Sequence, residues 1–331
     1  MIRSTLKRTM GAALLVGATA FPPMAGAESV TIAHARGEIT LDEVPRKVAV
    51  FDLASLDTMQ ALGVDAVAGV PKGEGGSVNV PAYLQAFGDA KYAGIGTLFE
   101  PDMEVLEELA PDLIIVAGRS SSKYDEVSRI APTIDMTPQG DGLLASGIAT
   151  AETLGRIFRV EDRAAERIAE LEAAVAGMHE AAADGDTALV LFAVANNMMA
   201  HAPGARFGTI YDFVGLRSVM APAGPAASGP RPEPGSPEAE AARRRQQEER
   251  DAALAANPDW IFTLDRGAIS GDGPSDIADR LAADEKVAAT TAWKEGQVVH
   301  LDPRGWYLVG TGIQNLTDSA RTITAAFRDG K

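Results

Sequence analysis

The stretch EVLEELAPDLIIVAGR at residues 104–119 returns as DAALAANPDWIFTLDR at residues 251–266. In both copies an acid, Glu104 or Asp251, stands seven residues before a Pro-Asp pair, and an arginine, Arg119 or Arg266, stands eight residues after the proline. Each copy predicts a helix, a turn at Pro-Asp and a short apolar strand of the kind that parallel sheets bury on both faces. The repeat therefore predicts two similar α/β lobes that face one cleft.

The two arginines are the candidate ligand-binding residues of this repeat. Open α/β sheets place their ligands at the carboxyl ends of the strands, so we expect Arg119 and Arg266 to approach each other across the cleft. Two planar guanidinium groups there favour an anionic ligand with several oxygen acceptors. The alternative is that each arginine pairs with a neighbouring carboxylate or caps a loop.

A third arginine stands in the glycine-flanked loop GARFG at residues 204–208, just before a predicted helix. At that position the side chain of Arg206 and the neighbouring backbone amides could face the cleft. The apolar runs on either side of Asn196-Asn197 predict a hairpin that opens the second lobe.

The first residues have the composition of an export signal. Arg3, Lys7 and Arg8 precede an apolar run over 10–21 and the sequence Ala-Gly-Ala at 25–27, which predicts a cleavable signal peptide over residues 1–27. The run is too short to span a bilayer, and the chain has no cysteine that could carry a lipid anchor. We therefore expect a periplasmic protein that is not a lipoprotein.

Charge argues against nucleic acid as a partner. Loss of residues 1–27 removes three basic residues and no acidic one, which changes the net charge from −16 to −19. A chain this acidic is repelled by phosphate backbones, and an anion site requires a local positive pocket.

The remaining chain is expected to divide into an N-terminal lobe over 28–145, a connecting helical segment over 146–184 and a C-terminal lobe over 185–331. Strong helix formers over 161–183 predict one helix of roughly 35 Å that joins the lobes. Residues 221–250 form an insertion, proline-rich at first and densely charged after that. It is either a solvated loop and helix, or a source of arginines, at 243–245, for the positive rim of the cleft.

Signs of catalysis or of a bound cofactor are weak. The four histidines lack metal-ligand spacing and are expected to be surface or packing residues; they are His34, His179, His201 and His300. The chain has no Gly-x-Ser-x-Gly elbow and no phosphate-binding glycine loop. Asp265 and Asp272 could serve as an acid and base pair, but loop capping explains them more simply. We expect no enzyme activity and no cofactor.

Several of these residues resemble the periplasmic iron-siderophore binding proteins of ABC importers, in the branch that binds catecholate or citrate-catecholate ligands. The resemblance is carried by IIVAGRS at 114–120, GARFG at 204–208, NPD at 257–259 with LDR at 264–266, and LDPRGWYLVGTG at 301–312. It implies a class III periplasmic binding protein, with two Rossmann-like α/β lobes joined by a single long α-helix.

The resemblance also implies a ligand site. Arg119, Arg206 and Arg266 would form a basic triad against a ferric siderophore, and Trp306 or Tyr307 would line the same cleft. Tyr307 is in addition a candidate ligand to the iron that the siderophore carries. Haem, cobalamin or another metal chelate on the same fold is the alternative ligand.

Partners follow from the same resemblance. Glu104 and Asp251 would dock the loaded protein, a monomer, on an inner-membrane ABC permease with its ATPase. One departure concerns the metal: relatives carry a His-Gly pair about a dozen residues before the second Asn-Pro-Asp, where this chain has Arg245-Gln246. A hexadentate ligand that saturates iron by itself therefore becomes more plausible, although the pocket could equally have changed its ligand.

Overall fold

The computed structural model describes residues 29–73, 79–140, 142–194, 197–224, 232–270 and 276–330, together with Met1. The predicted signal peptide beyond Met1, Asn196 of the predicted hairpin turn, residues 225–231 of the predicted insertion and Asp272 lie outside the described residues. None of the helices in the described ranges is long and apolar enough to cross a membrane.

Lobe one is built on a parallel sheet with the strand order β5-β4-β3-β6-β7. Its strands are β3 (Val48–Val50), β4 (Val67–Val70), β5 (Ala93–Gly94), β6 (Leu113–Val116) and β7 (Thr133–Asp135), preceded by the antiparallel hairpin β1 (Val30–His34) and β2 (Gly37–Leu41). Its helices are α1 (Leu53–Ala61), α2 (Met103–Leu109) and α3 (Tyr124–Val127). Apolar clusters cover both faces of the sheet, as its apolar strands predict.

Lobe two repeats this plan with the parallel order β10-β8-β11-β12, and β9 pairs antiparallel with β8. Its strands are β8 (Thr187–Val194), β9 (Asn197–His201), β10 (Arg217–Ser218), β11 (Trp260–Asp265) and β12 (Val298–His300). Its helices are α6 (Thr209–Val214), α7 (Pro237–Ala255), α8 (Gly267–Ser270), α9 (Ile277–Ala283), α10 (Glu285–Ala288) and α11 (Thr291–Lys294). The predicted hairpin is confirmed as β8 and β9.

The repeated stretch forms the same unit in both sheets: α2 leads to β6, and α7 leads to β11. Asp112 accepts hydrogen bonds from the backbone N–H groups of Arg46 (2.8 Å) and Lys47 (3.0 Å), just before β3. Asp259 accepts from the backbone N–H and the hydroxyl of Thr187, both at 2.8 Å, at the start of β8. Each Pro-Asp pair therefore ties one central strand to its neighbour in the sheet.

Helices that pack into both lobes join the two sheets. The predicted connecting helix is α5 (Glu161–Ala181), which follows α4 (Leu143–Phe158) after a short turn. Near its start, Ala164 packs into the core of lobe one, whereas Leu171 and Met178 pack into the core of lobe two. Because one continuous helix is buried in both cores, it holds the lobes together.

The final helix, α12 (Ile313–Asp329), packs in the core of lobe two and also contacts lobe one. Its first backbone N–H, that of Ile313, donates to the Thr58 hydroxyl of α1 in lobe one (3.3 Å). At its other end Phe327 packs against Trp260 in lobe two, with 4.6 Å between ring centres. The helix α12 thus starts against lobe one and ends in lobe two.

The charged half of the predicted insertion is part of α7, which begins at Pro237 with Ser236 as its N-cap. The helix continues without interruption into the second copy of the repeat. Residues 243–245, the three arginines, are exposed along it.

Candidate ligand-binding site

Arg119 lies in the loop that follows β6, and hydrogen bonds to the end of β7 and the residues after it hold this loop in place. The backbone N–H of Gly118, which has a φ of 43°, donates to the Thr137 hydroxyl (2.9 Å). The Ser121 hydroxyl donates to the buried carboxylate of Asp135 at the end of β7. Arg119 therefore starts from a backbone that two side chains hold in place.

The guanidinium of Arg119 reaches the C-terminal segment of the chain. It donates to the carbonyl oxygen of Leu308 (3.3 Å) and to that of Tyr307. Burial, and after it the positive charge of Arg206, lower the pKa of Arg119. The side chain thus connects lobe one to the segment that carries Tyr307.

Arg206 and Arg266 come from two loops of lobe two, and both residues are exposed. Arg206 follows Gly204, whose φ of 82° suits glycine. Arg266 comes directly after β11, where its backbone N–H donates to the Ala193 carbonyl (2.9 Å) and so stays in register with β8. Arg266 therefore stands at the carboxyl end of a parallel strand, whereas Arg206 lies in the loop between the antiparallel strand β9 and α6.

Tyr307 is the residue at which the three arginines meet. Their guanidinium carbons lie 4.4 Å (Arg206), 5.5 Å (Arg119) and 5.9 Å (Arg266) from the centre of its ring. Such distances allow cation–π attraction. Within the described ranges none of the three guanidinium groups forms a salt bridge with a carboxylate. Their positive charge is concentrated, although the nearby carboxylate of Asp52 attracts Arg119.

The same arginines change the acidity of Tyr307. Burial on its own raises the pKa of the phenol, but a hydrogen bond from Arg206 and the charges of Arg206, Arg266 and Arg119 outweigh it, so the pKa is lowered. Tyr307 therefore forms its phenolate more readily than an ordinary tyrosine does.

Two buried phenylalanines of lobe two, Phe192 and Phe207, pack next to Tyr307. Phe192 lies nearly parallel to Tyr307, with 6.2 Å between ring centres and 8° between planes, and Phe207 lies 4.8 Å from Phe192. His201 packs edge-on against Phe207, consistent with a packing role, and burial followed by the charge of Arg206 lowers its pKa. Sequence reasoning missed both phenylalanines. Phe207 adjoins Arg206 and could have been noticed, whereas Phe192 is one of many apolar residues in β8.

Trp306, the other aromatic candidate, is buried. Its side chain is only 7% exposed and packs against Phe213 in the core of lobe two, with 5.6 Å between ring centres. Adjacent residues on a helical turn point in different directions, so only one of the two aromatics can face the arginines. That residue is Tyr307.

The two predicted docking acids differ in their surroundings. Glu104 is exposed on the first turn of α2. Asp251 lies near the end of α7 and accepts from Arg250 (2.7 Å) and from Lys286. Burial raises the pKa of Asp251, but these hydrogen bonds from Lys286 and Arg250 outweigh it and lower the pKa. The carboxylate of Asp251 is thus already engaged.

The chain as a whole is similar to known binding proteins. A model of the periplasmic binding protein family matches residues 48–304. The petrobactin-binding protein YclQ of Bacillus subtilis is 33% identical over 300 residues, which cover 89% of this chain and 87% of YclQ. The YclQ crystal structure has a TM-score of 0.75 and 32% identity, and the match covers 91% of this chain and 99% of that one.

Two further relatives come from Vibrio species. The ferric-anguibactin-binding protein FatB of Vibrio anguillarum is 25% identical over 293 residues, which cover 87% of this chain and 84% of FatB. The crystal structure of the periplasmic catecholate-siderophore binding protein VctP from Vibrio cholerae is 27% identical, with a TM-score of 0.75, over 90% of this chain and 100% of VctP. The likeness therefore extends over both lobes and the helices that join them.

Proposed function

Because the chain belongs to the periplasmic binding protein family, we propose that it captures an anionic ferric siderophore between its lobes and delivers it to an inner-membrane ABC permease. The observation that carries the proposal is the group of three arginines around Tyr307, with no described carboxylate paired to them. A ligand with concentrated negative charge and many oxygen acceptors satisfies these donors, and a ferric catecholate has both properties.

The aromatic surface supports the same ligand class. Tyr307 offers a partly exposed ring on which a catechol ring can pack, and the buried rings of Phe192 and Phe207 pack next to it. The relatives named for petrobactin, for anguibactin and for a catecholate siderophore point the same way. Iron enters with the ligand as cargo, so the protein needs no cofactor of its own.

Tyr307 is the protein group that we propose as a ligand to the iron, if the siderophore leaves a coordination position open. Its lowered pKa eases formation of the phenolate, which is the form that binds a hard cation. A hexadentate siderophore would instead use Tyr307 only as an aromatic contact.

Delivery requires a surface for the permease. We assign this role first to Glu104, because its carboxylate is exposed on lobe one. Asp251 comes second, because its carboxylate must first leave Arg250 and Lys286 or bind the permease while it still contacts them. We propose that the protein acts as a periplasmic monomer and that a cleavable signal peptide over residues 1–27 exports it.

Quenching of tryptophan fluorescence tests the proposal. The mature protein is titrated with ferric and iron-free catecholate siderophores, haem and cobalamin, and the titration is repeated with Arg206→Ala and Arg266→Ala. Each lost charge-assisted hydrogen bond costs about 1.5–3 kcal/mol, so we expect each substitution to weaken the ferric catecholate about tenfold to a hundredfold. Arg321→Ala, an exposed arginine on α12, is the matched control and should bind like the unsubstituted protein.

The panel also identifies the alternative ligand. Tight binding of haem or cobalamin that the two substitutions do not affect would indicate that the natural ligand is one of these chelates and not a siderophore. Binding of a ferric catecholate that ignores both arginines would remove the observation on which the proposal depends.

A further inference from the structure

We propose that Asp57 of lobe one is a positioning residue: through the N-terminus of α12 and Asn315 it holds the turn that presents Tyr307 to the arginines. Its relevance to binding rests on the proposed function, but the geometry on which it depends does not. The tyrosine turn is defined here as Arg304–Val309, a π-helical segment between β12 and α12.

The first link joins Asp57 to α12. Its side chain is fully buried and accepts from the backbone N–H groups of Gln314 (2.9 Å) and Asn315 (3.1 Å) and from the Tyr83 hydroxyl (2.6 Å). The first N–H groups of a helix lack partners within the helix, so a carboxylate there satisfies two of them. A Cβ atom at Gly312 would lie 2.4 Å from the Asp57 carboxyl carbon, and only glycine permits this approach.

The second link joins α12 to the tyrosine turn. The Asn315 side-chain N–H donates to the Gly310 carbonyl (2.8 Å), and the Gly310 N–H donates back to the Gly305 carbonyl (2.7 Å), which closes the turn. A Cβ atom at Gly305 would lie 2.2 Å from the Asn315 side-chain oxygen. The side chain of Asn315 therefore packs against Gly305 within the turn and donates a hydrogen bond to Gly310, which follows it.

The third link joins the turn to the ligand site. Single π-helical turns are uncommon and occur frequently at functional sites. Leu308 and Val309 are buried in the core of lobe one, while Arg119 donates to the carbonyls of Tyr307 and Leu308. Lobe one thus holds the turn from two sides, from the cleft through Arg119 and from behind through Asp57.

Fluorine NMR tests the proposal without a ligand. The protein is labelled with 3-fluorotyrosine, and the Tyr307 signal is assigned by Tyr307→Phe. Spectra are compared for Asp57→Ala, Asp57→Asn and Asn315→Ala. Gln314→Ala is the matched control, since its side chain bonds Asp318 along the same helix and not the turn. Tyr83 donates to Asp57, so its signal is expected to move in the Asp57 variants for that reason alone.

We expect Asp57→Ala and Asn315→Ala to shift or broaden the Tyr307 signal while the signals of Tyr92, Tyr124 and Tyr211 stay in place. Asp57→Asn keeps an acceptor and should restore part of the signal, and Gln314→Ala should change nothing. In a ferric-catecholate titration both alanine variants should bind at least about fivefold more weakly, a cost of about 1 kcal/mol.

An unchanged Tyr307 signal in folded Asp57→Ala protein would overturn the proposal. If that variant does not fold, Asn315→Ala decides, because it leaves the carboxylate cap of α12 in place. If Tyr307 shifts as expected but the unsubstituted protein binds no ferric siderophore, the positioning role stands and the proposed function fails.

Discussion

At the scale of single residues, Tyr307 is the group on which the electrostatics of the site act. Three guanidinium groups surround its ring, and their charges outweigh the burial that would otherwise raise its pKa. Arg206 contributes most among them, since it alone also donates a hydrogen bond to the phenol.

Titration of the phenol checks this account. We expect the ultraviolet absorbance of the Tyr307 phenolate, obtained by subtracting the Tyr307→Phe titration, to appear below the pH at which an ordinary tyrosine ionises. Arg206→Ala should move it to higher pH, and high salt should do the same, because ions screen the exposed guanidinium groups. A Tyr307 that ionises at or above the ordinary tyrosine pH, with Arg206 present, would contradict the account.

At the scale of elements, the Pro-Asp pairs explain why the same stretch of sequence occurs twice. Asp112 and Asp259 each accept hydrogen bonds from the backbone where the neighbouring parallel strand begins. These bonds fix the start of β6 and of β11, and the other ends of these two strands lead to Arg119 and Arg266. The repeat is therefore a structural unit that places Arg119 and Arg266 at equivalent edges of two sheets.

Loss of one of these aspartates should weaken the fold. Asp259→Ala removes two hydrogen bonds to Thr187, and we expect the free energy of unfolding to fall by about 1.5–3 kcal/mol. Chemical denaturation measures the change, with the exposed acid Glu180→Ala on α5 as the control. Equal midpoints for Asp259→Ala and the control would show that the pair does not tie the strands.

Local patterns in the sequence predicted the elements that depend on neighbouring residues. The apolar runs predicted β6 and β11, and the Asn196-Asn197 pair between two apolar runs predicted the β8-β9 hairpin. The path from Asp57 to Asn315 was not predictable in this way, because those residues are 258 positions apart and their contact depends on how the two lobes pack. For the same reason the sequence left both Trp306 and Tyr307 as candidates to line the cleft: the direction of each side chain follows from a π-helical turn that no periodicity indicates.

At the scale of the whole molecule, the lobes are joined in several places. α5 is buried in both cores, and α12 starts against lobe one and ends in lobe two. Across the cleft, Asn79 donates to the carbonyls of Ala268 (3.1 Å) and Ile269 (3.3 Å). A wide hinge motion would break several of these contacts, so we expect the lobes to close only slightly around a ligand.

The most direct test of the central claim is a crystal structure of the mature protein saturated with a ferric catecholate siderophore, with the iron located by its anomalous signal. We predict an iron peak in the cleft beside Tyr307, ligand oxygens within hydrogen-bonding distance of Arg206 and Arg266, and lobes that keep nearly the orientation described here. An iron peak elsewhere on the molecule, or a saturated protein with no iron between its lobes, would contradict the claim that the arginines form the binding site.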